Sequence, residues 1–381
     1  MIRKVPKVFV AMSGGVDSSV AAALLKRRGY DVTGVFIKVW NPSFLECAWR
    51  AERRDAMRVA ARLGIPLLTF DFEKEYKREV VDYMIREYRA GRTPNPDVMC
   101  NRAIKFGAFF RKASALGADY IATGHYARSV ENAFSKVLGS PRFARPDISK
   151  KHFLLRGKDE AKDQSYFLWT LGQKELQHCL FPVGGMQKSQ VRKLARKFDL
   201  PNAEKKDSQG LCFLGKLDVK DFLKHYLKEK SGKVLDQNGK VVGKHPGAVF
   251  FTLGERHCFD VTKKTSHDKP YYITAKDIKK NILIVSQTPP FALPQGEGWG
   301  GVIKIKNTNW ISGLPATYNL KPKTHTCQTR YHGERIPCRL SNVSIGKKTA
   351  TVELLRPALA VPGQSLVLYD GSVLLGGGII D

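Results

Sequence analysis

The sequence predicts a multidomain α/β plus β protein. A parallel sheet with flanking helices is expected over residues 1–205, a small central domain over 206–290, and a β-barrel over 291–381. Three observations carry this expectation. Apolar strand-like runs alternate with helical patterns from residue 8 to about residue 126, the signature of βαβ units with right-handed crossovers. The first run breaks sharply at two glycines before a helix, as at a ligand-binding edge. Beyond Gly232 the pattern changes to short alternating strands separated by turn residues, which suits a barrel.

The first element is the run Val8 to Met12, a buried strand ending in Ser13-Gly14-Gly15. Residues 16–26 follow as a helix with Val20, Ala21, Leu24 and Leu25 on one face. The glycines permit positive φ and close approach of backbone to a ligand. The loop N–H groups and the helix N-terminus together make an anion site. Asp17, Ser18 and Ser19 stand where capping is natural, and their hydroxyls could equally meet a phosphate. No lysine follows the glycines, so this is not a phosphate loop of the Gly-Lys-Ser/Thr type.

Asp31 to Trp40 reads as a second strand, 48–63 as an Arg-rich helix, Pro66 to Asp71 as a third strand, and 73–90 as another helix. Gly91-Arg-Thr-Pro-Asn-Pro-Asp97 is stiffened by two prolines, with a helix beginning near Asp97 and Cys100 in its first turn. A helix N-terminus with Arg102 and Lys105 nearby would favour thiolate over thiol. A small buried residue packed under a loop is the alternative for Cys100. Asp119 to Tyr126 is a fourth strand with a glycine turn at the ligand edge, where His125 could be purely structural. Residues 129–151 read as a polar, basic surface loop.

Lys162 to Trp169 reads as the opening of an amphipathic helix, 188–198 as a strongly basic helix, and 218–230 as helical. Lys205 to Gly215 is a polar loop containing Cys212. Residues 188–233 carry 13 basic and 6 acidic side chains, which fits a phosphate-backbone contact surface. Asp236-Gln-Asn-Gly is a hairpin-type turn. Strands are expected at 248–251, 271–274, 282–285, 301–305, 324–331, 336–340, 349–355 and 365–369.

Bulk composition narrows the function classes. Sixty-four basic against 35 acidic residues give a net charge of +29, well beyond what solubility needs, and so point to a polyanionic partner such as nucleic acid. There is no apolar run of membrane-spanning length, so no membrane partner is expected. The N-terminus passes straight into the first strand, which suggests a cytoplasmic protein. Seven cysteines without a Cys-x-x-Cys pair give no zinc or iron–sulfur signature and no disulfide framework. In a reducing compartment they are thiols by default, any exception being catalytic.

Ser13 to Ser19 resembles the pyrophosphate loop (PP-loop) of the ATP-pyrophosphatases, the adenine-nucleotide alpha-hydrolase type of parallel sheet. Further strings extend the likeness: Gly91 to Asp97, Met99-Cys-Asn101, Ile104-Lys-Phe106, Ala122-Thr-Gly-His-Tyr126, Lys162-Asp-Gln-Ser-Tyr-Phe-Leu168 and Phe181-Pro-Val-Gly184. They continue with Lys206-Asp-Ser208, Cys212-Phe213, Gln328-Thr-Arg-Tyr331, Pro362-Gly-Gln-Ser365 and Leu375-Gly-Gly-Gly-Ile379. With these in one order, the chain resembles the tRNA-specific 2-thiouridylase (MnmA/TrmU) family over essentially its full length.

That resemblance implies an enzyme, a tRNA-uridine 2-sulfurtransferase, which replaces the 2-oxo group of the wobble uridine by sulfur. ATP, with Mg2+, would lie at Ala11, Met12, Ser13, Gly14, Gly15, Val16, Asp17 and Ser18, with Ile37 and Gly124 lining the nucleotide, and would adenylate the C2 oxygen. Asp17 is a candidate near-ligand of the magnesium. Cys212 matches the cysteine that receives a persulfide sulfur from a sulfur carrier protein or cysteine desulfurase. Cys100 matches its partner, which either releases the sulfur or resolves a transient disulfide. Asp97 matches an acid/base, with Asn95 and Pro96 around the target base. His125, Lys162, Asp163, Gln164, Arg330, Tyr331 and Gln364 match tRNA contacts. Two thiols suit the chemistry, because opening an S–S bond needs a second nucleophile. The target base must also leave its stack to reach a buried pocket.

Two stretches depart from the family. Residues 129–151 are longer than usual, and Thr252 to Phe259 stands where the family has Gly-Gln-Arg-Lys-Gly-Leu, with Cys258 in place of its second glycine. Two other functions compete with thiolation. One is a small-molecule ligase of the same superfamily, which would need neither paired cysteines nor basic stretches. The other is a catalytically silent RNA-binding protein, which would not need an intact Ser13–Ser19 loop.

Overall fold

The computed structural model describes residues 5–44, 49–131, 151–207, 218–262, 269–290, 301–311 and 324–381. Cys47, Cys212 and residues 132–150 of the expected surface loop lie outside the described residues.

The N-terminal part forms β1 (Lys7–Ala11), α1 (Val16–Arg27), β2 (Asp31–Lys38), α2 (Trp49–Leu63), β3 (Leu67–Asp71) and β4 (Tyr120–Ala122). Helical runs at 73–89 and 96–115 join β3 to β4, each interrupted by a π-helical stretch, Lys77–Val81 and Asn101–Ala108. A hairpin of β5 (Ala127–Glu131) and β6 (His152–Arg156) leaves this sheet, and β7 (Cys179–Leu180) rejoins it. The sheet order is β3-β2-β1-β4-β7 and every pairing is parallel. Strand β1 is apolar on both faces because both are covered. Val8 and Val10 pack with Val20, Ala21 and Leu25 of α1, while Phe9 faces Phe70 and Phe109 on the opposite side. The chain runs outward from β1 through β2 to β3, then returns to β4 on β1's other flank. Crossover direction therefore reverses between β1 and β4, and a crevice opens beyond their carboxyl ends.

The central part is a five-stranded sheet of β8 (Gly232–Leu235), β9 (Val241–His245), β10 (Asp260–Val261), β11 (Tyr272–Asp277) and β12 (Ile282–Ser286). Asp236 closes the β8–β9 hairpin by accepting from the N–H groups of Asn238 and Lys240 at 2.9 Å each. The C-terminal part comprises β13 (Val302–Trp310), β14 (Thr324–Gln328), β15 (Ile336–Ser344), β16 (Thr349–Leu354), β17 (Ser365–Asp370) and β18 (Val373–Ile380). Their order is β13-β16-β15-β14-β17-β18, and β18 pairs back with β13 to close a six-stranded antiparallel barrel. Its interior is filled by Ile303, Ile305, Cys327, Cys338, Leu340, Val352, Leu366 and Leu368. Strand β6 pairs with β18, Leu154 opposite Leu374 and Leu155 opposite Val373. One hydrogen-bonded sheet thus runs from the N-terminal part into the barrel.

The structure corrects several sequence expectations. Lys162 to Trp169 is not an amphipathic helix; only a 3-10 turn forms at Ser165–Leu168. Tertiary bonds override the helical pattern: Asp163 Oδ1 accepts from the N–H groups of Gly157 and Ser165, and the Gln164 N–H donates to the Tyr126 carbonyl. The apolar stretch 248–251 is a 3-10 turn at Ala248–Phe250 rather than a strand, started by Gly247 at φ +154° and held by Asn281 Oδ1 on the Ala248 N–H. Residues 129–131 extend β5 instead of opening a loop. The glycine-rich 373–380 stretch is a barrel strand, with Gly376 and Gly377 lying against the backbones of Asn309 and Leu366.

Leu366 is fully buried in the barrel. Leu366→Ala is expected to cost about 2–5 kcal/mol by cavity formation, read as a lowered urea midpoint of the barrel transition with the far-UV spectrum of the native state unchanged.

Candidate active site

The crevice at the β1/β4 switch point is built from the loop after β1 and the turn after β4. The Ser13 N–H donates to Ser18 Oγ at 3.3 Å, Ser18 Oγ donates to the Gly15 carbonyl at 3.1 Å, and Ser19 Oγ donates to the same carbonyl at 2.8 Å. These bonds fold residues 13–19 into a compact loop at the N-terminus of the twelve-residue α1. Gly14 stands at φ +74°, and the Asn202 side-chain amide donates to its carbonyl and to Ser19 Oγ, each at 2.9 Å. Ala11 ends β1, the Met12 N–H donates to the Val35 carbonyl, and Ile37 lies buried near the end of β2. Gly124 packs so closely that a Cβ there would stand 2.6 Å from the Ser18 nitrogen. Loop, helix end and cleared flank together fit a nucleotide's phosphates, because backbone N–H groups and the helix dipole favour an anion there.

Beside this loop lies a chain of charges. Asp17 accepts from Tyr126 Oη at 2.8 Å, and Lys188 Nζ bridges both Asp17 oxygens at 2.7 and 2.8 Å. Lys188 also reaches Asp207 Oδ1 at 2.8 Å, as does Arg192 Nη2, while Lys162 Nζ meets Asp207 Oδ2 at 2.7 Å. Burial pushes the Tyr126 hydroxyl well above its usual pKa, and the Asp17 carboxylate pushes it further. For Asp207 burial works upward, but the hydrogen bonds from Lys162 and Lys188 outweigh it and bring the pKa down to about 2. Neither Lys188 nor Asp207 stands out as a site residue in the sequence. Lys188 reads there as one cation among many on a basic helix, yet its side chain is 15% exposed and turned toward Asp17. Asp207 lies next to the Cys212 loop, which is outside the described residues.

The expected Asp97 and Cys100 lie on the helical run from Pro96. Asn95 caps it, its Oδ1 accepting from the Val98 N–H at 3.2 Å, so the helix starts at Pro96, one residue before the expected Asp97. Asp97 lies in the first turn, and Cys100 ends the first α-helical segment with no exposed surface, among the hydrophobic core residues. Asn101, next to it, donates to the Phe167 carbonyl, while its own buried oxygen has no hydrogen-bond partner among the described residues. The Tyr331 ring packs tilted against Phe167, with centroids 4.2 Å apart, and its hydroxyl pKa is pushed up to about 12 by burial and then by the Asp163 and Asp97 carboxylates. Asp163 and Tyr331 line one surface cleft, and Asp97 lies within electrostatic reach of the Tyr331 hydroxyl.

The other expected RNA contacts differ in availability. Arg330 is exposed. Asp163 is buried in an ion pair with Arg156 at 2.8 Å, and Gln164 Oε1 accepts from the Tyr126 N–H. His125 is buried between Phe106 and Phe181, 2.8 Å from Thr123 Oγ1 through Nδ1, and burial holds its pKa far below the usual range. It is therefore a neutral ring at pH 7. Gln364 Nε2 donates to the backbone carbonyls of Thr93 and Pro94. Arg330 apart, these side chains make internal bonds.

Three family models cover the chain: a "tRNA methyl transferase HUP domain" over residues 6–216, a "tRNA methyl transferase PRC-barrel domain" over 220–287, and an "Aminomethyltransferase beta-barrel domain" over 301–380. Among curated relatives, the tRNA-specific 2-thiouridylase MnmA of Proteus mirabilis is 44% identical, covering 98% of this chain and 97% of its own. The enzymes of the same name from Salmonella typhimurium and Listeria monocytogenes are 43% and 40% identical, again over 98% of this chain and over 96% and 94% of theirs.

Two outcomes test the geometry. Gly124→Ala should raise the dissociation constant for ATP at least tenfold and also lower the melting temperature, because its Cβ would push the Ser18 backbone away, measured by isothermal titration and calorimetry. The depressed Asp207 pKa means its ion pairs stabilise the fold above the ordinary carboxylate value of 3.8 and are lost as pH falls through about 2. Wild type should therefore exceed Asp207→Asn in urea midpoint at pH 7, with the difference shrinking as pH is lowered from 5 toward 2.

Proposed function

The chain belongs to the tRNA-specific 2-thiouridylase family, and from that premise we propose how its residues divide the work of thiolating a wobble uridine. It is a tRNA-uridine sulfurtransferase of the ATP-using PP-loop type. The observation that supports the division of roles is the packing of the Ser13–Ser19 loop against the Gly124 turn at the carboxyl edge of β1 and β4.

ATP supplies the activation: the uridine C2 oxygen attacks its α-phosphorus, pyrophosphate leaves, and the oxygen becomes the leaving group AMP. Residues 11–18 hold the triphosphate through backbone N–H groups and the α1 dipole, with Ile37 and Gly124 against the nucleoside. Lys188, drawn close by Asp17 and Asp207, provides positive charge beside the departing pyrophosphate. Asp17 would hold a magnesium ion accompanying the phosphates only by giving up its bonds to Lys188, and the ion would there neutralise phosphate charge.

Sulfur arrives on Cys212 as a persulfide delivered by a carrier protein or cysteine desulfurase. Its terminal sulfur attacks C2, AMP departs, and the Cys100 thiolate attacks Cys212 Sγ. That step releases the sulfur on C2 and leaves a Cys100–Cys212 disulfide, which an external thiol reduces. In the other route Cys100 first frees hydrogen sulfide from the persulfide, forming the same disulfide, and sulfide attacks C2. Asp97 moves protons at the base, with Asn95 and Pro96 shaping the pocket that receives it. Arg330 and Tyr331 offer the tRNA a cation and an aromatic face from the barrel, and Lys162 offers a second cation. Gln164 adds to that surface from the catalytic side, while the buried His125 and Asp163 support it from beneath.

Nucleosides from unmodified tRNA incubated with the protein, ATP, magnesium and a persulfide donor decide the matter by mass spectrometry. The expected result is 2-thiouridine that requires ATP and disappears in Cys212→Ser and Cys100→Ser. ATP cleavage without sulfur gain in tRNA would move the activity to a small-molecule ligase. ATP-independent tRNA binding with no turnover would make the chain a silent binder.

A further inference from the structure

All three parts of the chain meet at one residue, Thr93, two positions before Asn95. Its N–H donates to the Pro362 carbonyl of the barrel at 2.9 Å, and its carbonyl accepts from Gln364 Nε2 at 2.9 Å. Its hydroxyl lies 3.0 Å from the hydroxyl of Thr252 in the central part. Gln364 Nε2 also donates to the Pro94 carbonyl at 3.0 Å, so both amide hydrogens are committed to the loop. Gly363, at φ +92°, packs so tightly that a Cβ there would stand 2.9 Å from the Thr93 oxygen.

Each side of this junction is itself anchored. The Gln364 N–H donates to the Val361 carbonyl, and its own carbonyl accepts from the Ile380 N–H at 2.8 Å. Next to it, Ser365 takes hydrogen bonds from two buried aromatic side chains of the catalytic part, Tyr166 Oη to its carbonyl at 2.8 Å and Trp169 Nε1 to its hydroxyl at 3.0 Å. On the central side, the Thr252 N–H donates to Glu255 Oε2, Lys220 pairs with Glu255, and the Glu255 carbonyl accepts from the Ile273 N–H of β11.

We infer that Gln364 is a positioning residue: with Thr252 it fixes the Thr93-Pro94 backbone and so aims Asn95, Pro96 and Asp97 at the target base. This goes beyond the tRNA contact that resemblance assigns to Gln364, and it rests on the reading that places Asp97 at that base. Two prolines flank Asn95 and leave the short segment little freedom, so displacement at residues 93–94 carries through to residue 97. A catalytic group displaced by about 1 Å costs on the order of a hundredfold in rate.

The test compares Gln364→Leu, Gln364→Lys, Thr252→Val and Asp97→Asn for kcat and for KM toward tRNA at saturating ATP, with 2-thiouridine as product. Gln364→Leu should lower kcat at least tenfold with KM for tRNA within about twofold. Gln364→Lys should recover most of that loss, because an ammonium still donates to both carbonyls but lacks the amide's acceptor. Thr252→Val should lower kcat several-fold from the central side. ATP affinity and melting temperature report folding, and if Gln364→Leu is unstable the Lys and Thr252→Val variants decide. A raised KM with unchanged kcat in both Gln364 variants would make Gln364 an RNA contact and overturn the inference. If Asp97→Asn is inactive while Gln364→Leu and Thr252→Val turn over normally, this inference alone fails. Full turnover by Asp97→Asn overturns the catalytic reading and this inference with it.

Discussion

The position of β1 between β2 and β4 is the constraint on which the catalytic part depends. Parallel pairing on both flanks, Val10 opposite Gly34 on one side and Ala122 on the other, puts all three carboxyl ends at one edge. There the glycine turns at Gly14-Gly15 and Gly124 come side by side. Their contact is tight enough to demand glycine, since a Cβ on Gly124 would strike the start of α1. A nucleotide loop in this protein is therefore a property of strand order as much as of local sequence.

Electrostatics at that edge works through pairing rather than through bulk charge. The chain carries +29, yet near the loop its cations are matched against Asp17 and Asp207. Holding Lys188, Arg192 and Lys162 in place at partly buried positions needs the two carboxylates, because an unpaired buried ammonium would lose more in solvation than it gains in position. The same pairing keeps positive charge next to the phosphate site while limiting the pull of that site on stray polyanions. Nonspecific attraction for RNA then falls to exposed cations such as Arg330.

Much of the fold was legible in the sequence. Strand and helix periods from residue 8 to 126, the Asp236 turn and the barrel's alternating strands depend on local pattern, and they form as that pattern dictates. The misread segments are those fixed by distant partners. Lys162 to Trp169 gives up its helical period to Asp163 and Gln164 bonding, and the Ala248–Phe250 turn is held by Asn281 from β12's approach. In the site, Ser13 to Ser19 and Gly124 were readable because glycine and hydroxyl spacing have few alternative uses. Lys188, Asn202 and Thr93 were not, since a lysine on a basic helix, an asparagine in a loop and a threonine between an arginine and a proline carry no local mark of what they will meet. Cys258, which stands where the family has a glycine, holds φ +67°, a left-handed conformation that costs strain in a residue with a Cβ.

The barrel's place in the architecture follows from these bonds. An RNA-binding appendage needs only charge, a suitable surface and a tether, and it tolerates motion of several ångströms. This barrel instead shares a sheet with the catalytic part through β6 and β18, and it buries Ser365 against Tyr166 and Trp169. Buried hydrogen bonds of that kind resist sliding, because any shift leaves polar groups unpaired in a dry interface. The barrel end at Pro362–Gln364 is thereby fixed relative to the sheet edge that carries the Ser13–Ser19 loop. On the proposed division of roles, activation of the base oxygen and proton transfer at the base need those two places to hold a set distance, which the shared strands and the Thr93 junction would supply.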